Sequence, residues 1–364
     1  MRPLRVVPPG PTVLAELRSA LAAGDAILVG EPSPDLPAQV EQRIALVVET
    51  SGSTGRPKRV ALSADAVLAN AAASESALGG PGQWVLALPT HYIAGLNVLA
   101  RSLAAGTEPV VVEGDHFSAA GFIAAAQRLT SPDRFTSLVP AQLATVLDDP
   151  SAVTALQGFR AVLVGGQAAP ATLLTRAAAH GVRVVRSYGS SETSGGCVYD
   201  GVPLASTTVR VVDGEVQLAG PSLAEGYLGD EQLTTERFIQ DDGMRWFRTA
   251  DAGTWEAGRL SIAGRRDDVI ISGGLKVSLG AIETALHELP GFDDAVVVAG
   301  QDEKWGQVPV AFTSNGGVGT APAIVAIETL FGPAARPRFV VVASIPLLPS
   351  GKPDRASLSS RSRQ

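Results

Sequence analysis

From Ile44 to about residue 185 the chain alternates two textures, short Val/Leu-rich runs and Ala-rich stretches of helix length. The runs at 84–88, 109–112 and 161–164 suit strands, and the stretches at 64–78 and 119–129 suit helices. Strands separated by helix-length segments pair side by side while the helices cover the sheet faces. The expectation is an α/β body. At 364 residues, 45% of them hydrophobic, the chain exceeds what one core usually serves and has the apolar material for two.

Between 200 and 265 the texture changes to short strands with frequent Gly and Asp, including Thr208 to Val212, Glu215 to Leu218 and Leu260 to Ile262. This predicts a β-rich subdomain closing the first body. After Gly264 come RRDDVIISGG, a helix from about Leu279 to Glu288, a strand at Ala295 to Ala299 and the Gly-rich NGGVGTAP. A small, mobile α+β C-terminal domain fits, with the chain divided into 1–266 and 267–364. Residues 1–43, rich in Pro and Ala, carry one helix, Val13 to Ala23, and no identifiable chemistry; the tail SLSSRSRQ reads as disordered.

The net charge of -7 includes no Lys/Arg stripe, which argues against a nucleic-acid partner but leaves room for a local cationic pocket. A single Cys, Cys197, excludes an intrachain disulfide framework. The N-terminal MRPLRVVPPGPTVL lacks the apolar core of an export signal, and no apolar stretch nears the ~18 residues of a membrane span. The expectation is a cytoplasmic protein.

Directly behind the apolar run Ile44–Val48 stands SGSTGRPK, Ser51 to Lys58, with three hydroxyls, two glycines and two cations in eight residues. Glycines let a backbone bend tightly, while hydroxyls, amides and cations all donate to phosphate oxygens. The GxxxxGK[ST] phosphate loop does not fit: Gly52 and Gly55 are three apart and Arg59 follows Lys58. A plain Ser/Gly turn is the bland alternative.

Later segments bear on that choice. Ser187-Tyr188-Gly189-Ser190-Ser191-Glu192-Thr193 follows a strand at Val182 to Val185 and offers an aromatic face, hydroxyls and a carboxylate, the parts needed to stack a base, touch a phosphate and hold Mg2+. Trp246 to Asp251 sets a carboxylate after a short strand, suited to ribose hydroxyls. Arg265 and Asp267 lie at the inferred junction, and Ser350-Gly351-Lys352-Pro353-Asp354-Arg355 presents one lysine on a turn.

In that order, over roughly residues 44–358, the chain resembles the adenylate-forming ligase superfamily, through TSGSTGRPK, SYGSSET, GEVQLAG with EGYL, FRTADAG, GRRDD and SGKPDR. Within it the chain resembles in particular the short actinobacterial o-succinylbenzoate-CoA ligases of menaquinone biosynthesis, through Gly79–Gly82, IAGLNVLARS, TSLVPAQL and SETSGGCVYDGVPL. Most relatives carry a longer segment ahead of the phosphate loop, and its absence is typical of the short type.

The resemblance implies ATP, Mg2+ and coenzyme A, with a small-molecule acid as substrate and a homodimer among the assemblies it allows. It implies that Thr50, Ser51, Gly52, Ser53, Thr54, Gly55 and Lys58 contact the triphosphate, that Gly166 and Gln167 line the adenine and that Tyr188, beside Gly189, stacks on it. Ser191 would touch the α-phosphate, Glu192 the Mg2+, and Asp251 with Arg265 the ribose; Asp267 would be the hinge. Lys352 would serve adenylation and the loop with Gly273, Gly274 and Lys276 the coenzyme A step. The bland readings are a core aromatic for Tyr188, a helix cap for Glu192, a surface ion pair for Asp251 and Arg265, and an exposed tail lysine for Lys352.

For the acid itself the resemblance points to Arg101, with His91, Tyr92, Ser137, Gly195 and Gly196 around it; a surface arginine is the alternative. Tyr92 stands where the family usually has His, Ala250 and Arg59 where it usually has Gly, and Ser191 where it usually has Thr. Cys197 reads as pocket wall, and His116, His180 and His287 have no zinc or iron spacing. The rivals are a ligase or adenylating enzyme for another acid or acceptor, and a non-catalytic nucleotide-binding regulator.

Overall fold

The computed structural model describes residues 1–50, 58–114, 116–317, 319–348 and 351–362. Their strands form four sheets. The expected runs become strands because their side chains have apolar surroundings on both faces: every residue of Ala26–Val29, of Gln83–Leu86 and of the run Ile44–Val48 is buried.

The seven-stranded sheet organises the large body. Its order is Val202–Pro203, Gly195–Tyr199, Val184–Ser190, Ala161–Gly165, Arg134–Leu138, Gln83–Leu86, Val110–Val111. The strands from Val184–Ser190 to Val110–Val111 run parallel. Parallel strands end together, so the residues after Leu138, Gly165 and Ser190 share one rim, where open α/β sheets take their ligands. The six-stranded sheet runs Gly226–Tyr227, Lys58–Ser63, Ile44–Thr50, Ala26–Val29, Arg2–Val7, Gln39–Val40.

Helix Ala64–Leu78 lies between the two sheets. Ser63 starts it by accepting from the Ala66 amide at 3.3 Å, and Gly79 stops it with φ 91°. Helix Ile93–Ala104 packs beside it, apolar on nearly every face.

The third sheet is antiparallel, Thr208–Val212, Glu215–Ala219, Met244–Glu256, Phe238–Asp241, with Arg259–Arg265 also on Met244–Glu256. The fourth holds Leu275–Ser278, Val269–Ser272, Gly306–Thr313, Val296–Asp302 and Arg338–Val341. With helices Leu279–His287 and Thr320–Phe331 it encloses its own core of Ile282, Leu286, Phe292 and Ile327. The α/β body, the β-rich closing part and the α+β C-terminal part are therefore as expected.

Three expectations are corrected. Residues 1–43 carry the helix, Val13–Leu21, but also the strands Arg2–Val7 and Ala26–Val29, so the chain begins inside the six-stranded sheet. The tail is ordered through Ser362: Asp354 caps helix Arg355–Arg361 by accepting from the Ser357 amide at 3.0 Å, and Leu358 is fully buried. Asp251 does not follow a strand but sits within Met244–Glu256, which a left-handed residue at Ala250, φ 61°, kinks without ending.

Candidate functional site

The site assembles on the shared rim. Ser51 to Gly55 lie outside the described residues, but their flanks do not: Thr50 and Lys58 pair at the ends of adjacent strands. Two residues on, Val60 pairs with Tyr227, whose hydroxyl donates to Glu192 Oε1 at 2.8 Å. The Glu192 carbonyl accepts from the Ala224 amide at 2.8 Å. The strand leaving the phosphate-loop segment and the acidic turn thus converge through one tyrosine. Tyr227 is a positioning residue that its place in EGYL did not single out.

Glu192 stands in a single 3-10 turn, Ser191–Thr193, that follows strand Val184–Ser190. Its second oxygen makes no hydrogen bond among the described residues. Burial raises the Tyr227 pKa and the adjacent carboxylate raises it further, so the proton stays on the phenol. A hard divalent cation fits the oxygen left over.

Tyr188, half-buried, donates to Asp251 Oδ2 at 2.6 Å. Burial drives the Tyr188 pKa up, with Asp251 adding to it, and burial also raises Asp251 against the opposing bond from Tyr188. Arg265 Nη1 lies 3.6 Å from Asp251, but the guanidinium forks onto Asp267 at 2.6 and 2.8 Å. That fork raises Arg265 and lowers Asp267 from their ordinary values. The two expected roles, ribose contact and hinge, are therefore tied together through one arginine.

Lys352 comes from beyond the fourth sheet on a turn held by Leu348 N to Lys352 O, 2.7 Å, and Gly351 N to Leu348 O, 2.8 Å. A Cβ at Gly351 would stand 2.8 Å from Val139, and the Lys352 Cε lies 3.3 Å from where a Cβ at Gly166 would be. The lysine is exposed to water, with protein close to it on the Gly166 side. That surrounding lowers its pKa from 10.5, while the Glu192 charge pulls the other way. Gln167 Oε1 and Ser190 Oγ are buried without partners among the described residues. Polar atoms held dry and unpaired at a rim are what a polar ligand would satisfy.

Deeper in, helix Ile93–Ala104 turns Ile93, Asn97 and Arg101 to one face at four-residue spacing, spanning ~12 Å. A Cβ at Gly195 would overlap the Asn97 amide, and one at Gly196 the Ser187 hydroxyl, so only glycine lets this strand approach. Asn97 donates to Ser194 O at 2.7 Å and Asn70 to Gly196 O at 2.9 Å, both leaving a buried amide oxygen free. Neither asparagine was singled out from sequence; a polar residue in an otherwise apolar helix was the available signal. Ser137 is buried with its hydroxyl unpaired.

Arg101 is 5% exposed, not a surface residue. It lies 5.1 Å from the Trp84 ring centroid, donates from Nη2 to Tyr199 Oη at 3.3 Å and leaves Nε unpartnered. The His91 and Tyr92 rings meet at a tilt of 49°, centroids 4.1 Å apart, at the head of the helix, and burial lowers the His91 pKa. Cys197 is buried in an apolar cluster with Val198, Val209, Val216 and Leu218, its thiol pushed up to about 12 by burial. Gly273 and Gly274 form the turn between strands Val269–Ser272 and Leu275–Ser278, Lys276 pairs with Ile271 in the second of these, and Gly273 N donates to Trp305 O at 2.8 Å.

A lysine carried by a separate C-terminal lobe into the rim of a parallel sheet, opposite a carboxylate on a tight turn, is the architecture of enzymes that activate acids on a nucleotide. The chain belongs to the AMP-binding enzyme family, whose model matches residues 11–228, with the AMP-binding enzyme C-terminal domain matching 281–352. It is 41% identical to a probable 2-succinylbenzoate–CoA ligase of Mycobacterium tuberculosis, over 96% of this chain and 94% of that one. The 2-succinylbenzoate–CoA ligase of Listeria monocytogenes is 33% identical over 92% and 74%.

Among solved structures, an Escherichia coli MenE variant with bound OSB-AMS superposes with TM-score 0.81 at 24% identity, covering 100% and 88% of the two chains. The Bacillus subtilis o-succinylbenzoate CoA synthetase in complex with the acyl-adenylate OSB-AMP gives TM-score 0.73 at 25% identity, covering 96% and 81%.

Proposed function

We propose that this chain is a 2-succinylbenzoate–CoA ligase, AMP-forming, in the menaquinone branch that the resemblance implies. Arg101 is the observation that carries the substrate. A buried guanidinium without a counter-charge costs several kcal/mol, and no carboxylate among the described residues lies within ion-pair distance of it. A dicarboxylate that reacts through one end and is held at the other supplies that charge, and a planar fork suits a carboxylate. The full-length similarity to the mycobacterial ligase supports the same acid.

In the first half-reaction a succinyl carboxylate oxygen attacks the α-phosphorus of ATP. The Pα–O bond to the β-phosphate breaks and pyrophosphate departs with the electron pair. Thr50, Ser51, Gly52, Ser53, Thr54, Gly55 and Lys58 bind the departing phosphates, Gly166, Gln167 and Tyr188 with Gly189 hold the adenine, and Asp251 with Arg265 the ribose. Ser191 donates to the α-phosphate, and Lys352 stabilises the charge shared between carboxylate and phosphorus. Mg2+, held through the free oxygen of Glu192, supplies charge neutralisation on the phosphates when bound.

His91 and Tyr92 close the head of the acyl pocket, with Ser137, Gly195 and Gly196 along its wall. In the second half-reaction residues 267–364 turn about Asp267, the Gly273, Gly274 and Lys276 turn enters, and the coenzyme A thiolate attacks the acyl carbon with AMP leaving. A cytoplasmic homodimer completes the reading, and sedimentation velocity on the purified chain reports its assembly.

The test is ATP–pyrophosphate exchange with 2-succinylbenzoate and with 4-oxo-4-phenylbutanoate, which keeps the succinyl arm and lacks the ring carboxylate. The wild type should prefer the dicarboxylate and Arg101→Ala should lose the preference. Unchanged selectivity would remove Arg101 from the pocket, and no exchange with any acid would favour a regulator.

A further inference from the structure

Arg101 is not held by the pocket alone. A guanidinium only donates, so the Tyr199 oxygen, 3.3 Å from Nη2, accepts from it. The phenol proton is then free for Ser74 Oγ, 2.7 Å away on helix Ala64–Leu78. The same guanidinium lies over the Trp84 ring, 5.1 Å from its centroid. All four side chains are buried, and the Nε–H has no partner among the described residues.

A competitor stands close. Glu75, one residue from Ser74, lines the same small cavity as Arg101 and Trp84 but is not paired with the arginine. Without the phenol, a flexible guanidinium would be free to turn toward Glu75 across that cavity.

We propose that Tyr199 is a specificity-determining positioning residue. Its hydroxyl, anchored by Ser74, holds the Arg101 fork away from Glu75 and keeps Nε–H presented to the second carboxylate of the acid. This rests on the proposed substrate. Tyr199 touches neither the reacting atoms nor the nucleotide, so its effect is on selection of the acid and not on the chemical step.

Tyr199→Phe tests it, because the ring is kept and only the hydroxyl is lost. With the full-length enzyme, the KM for 2-succinylbenzoate should rise about tenfold, the size of one charge-assisted hydrogen bond, with kcat within about twofold. The KM for 4-oxo-4-phenylbutanoate should not move. Adding Glu75→Gln should recover part of the loss, since the competing charge is gone. Equal losses on both acids would mark a structural role and overturn the proposal, as would no change on either. A wild type indifferent to the ring carboxylate would refute the substrate reading itself, a result visible before any variant is made.

Discussion

Lys352 lies against Gly166: its Cε is 3.3 Å from the point that a Cβ on that glycine would occupy. The contact joins two segments far apart in the chain, and it brings protein close enough to an otherwise exposed lysine to strip part of its hydration, which disfavours its charge and lowers its pKa from 10.5. A lysine lowered this way loses its proton earlier as pH rises. The alkaline limb of pyrophosphate exchange should therefore fall below pH 10.5 and disappear in Lys352→Arg, whose guanidinium stays charged. Lys352→Ala should lower exchange by about 10²- to 10³-fold while still converting supplied acyl-adenylate to thioester.

Thr172, in helix Ala171–Ala179 of the large body, hydrogen-bonds Asp293 of the C-terminal part. The bond links the two parts in the orientation that brings Lys352 to the rim. A Thr172→Cys, Asp293→Cys disulfide should leave pyrophosphate exchange intact and abolish thioester formation until it is reduced. The buried Cys197 should not interfere. Equal loss of both half-reactions would contradict a turning lobe.

Tyr227→Phe removes the donor that fixes Glu192 Oε1. Losing such a supporting bond typically costs about tenfold or more in metal affinity. The Mg2+ concentration for half-maximal exchange should rise by about tenfold, with rate recovered at saturating Mg2+.

Ala250 adopts φ 61°, a left-handed conformation that costs a residue with a Cβ about 1–2 kcal/mol. Glycine relieves that but loosens the unfolded chain by somewhat less. Ala250→Gly should therefore stabilise the large body by about 0.5–1 kcal/mol in urea unfolding followed by tryptophan fluorescence.

The fold was legible where local signals agreed. Helix Ala64–Leu78 has its stated bounds because Ser63 and Gly79 punctuate it. The first strand was not legible, since RPLRVV carries a proline and two arginines. Arg2 belongs inside because its guanidinium donates to Ala20 O at 2.9 Å and to Gln42 O at 3.4 Å, partners that no local window contains. The last helix was missed because one leucine among serines and arginines gives no period, and Leu358 is buried by a sheet assembled from elsewhere.

The site followed the same division. The order of the segments, together with the family pattern it matches, pointed to Gly166, Tyr188, Glu192, Asp251 and Lys352, which the fold brings toward one rim. What depended on three dimensions was which partner each group finds. Sequence could not separate a surface Arg101 from a buried one, because helix Ile93–Ala104 is apolar almost all round and hides which face meets Tyr199 and Trp84. Nor could it reveal that Arg265 is shared between Asp251 and Asp267.

The hairpin Val269–Ser278 leaves Ile271 50% and Leu275 61% exposed. Elsewhere such greasy spots could be swapped for charged residues to improve handling at high concentration. Here that remedy has a catch under the proposed second half-reaction: a hairpin that enters the site when the lobe turns would lose its apolar contact if it were made permanently hydrophilic. Solubility engineering of this protein is best confined to other faces, and a formulation that clumps is better treated by trapping the turned lobe than by rewriting the strip.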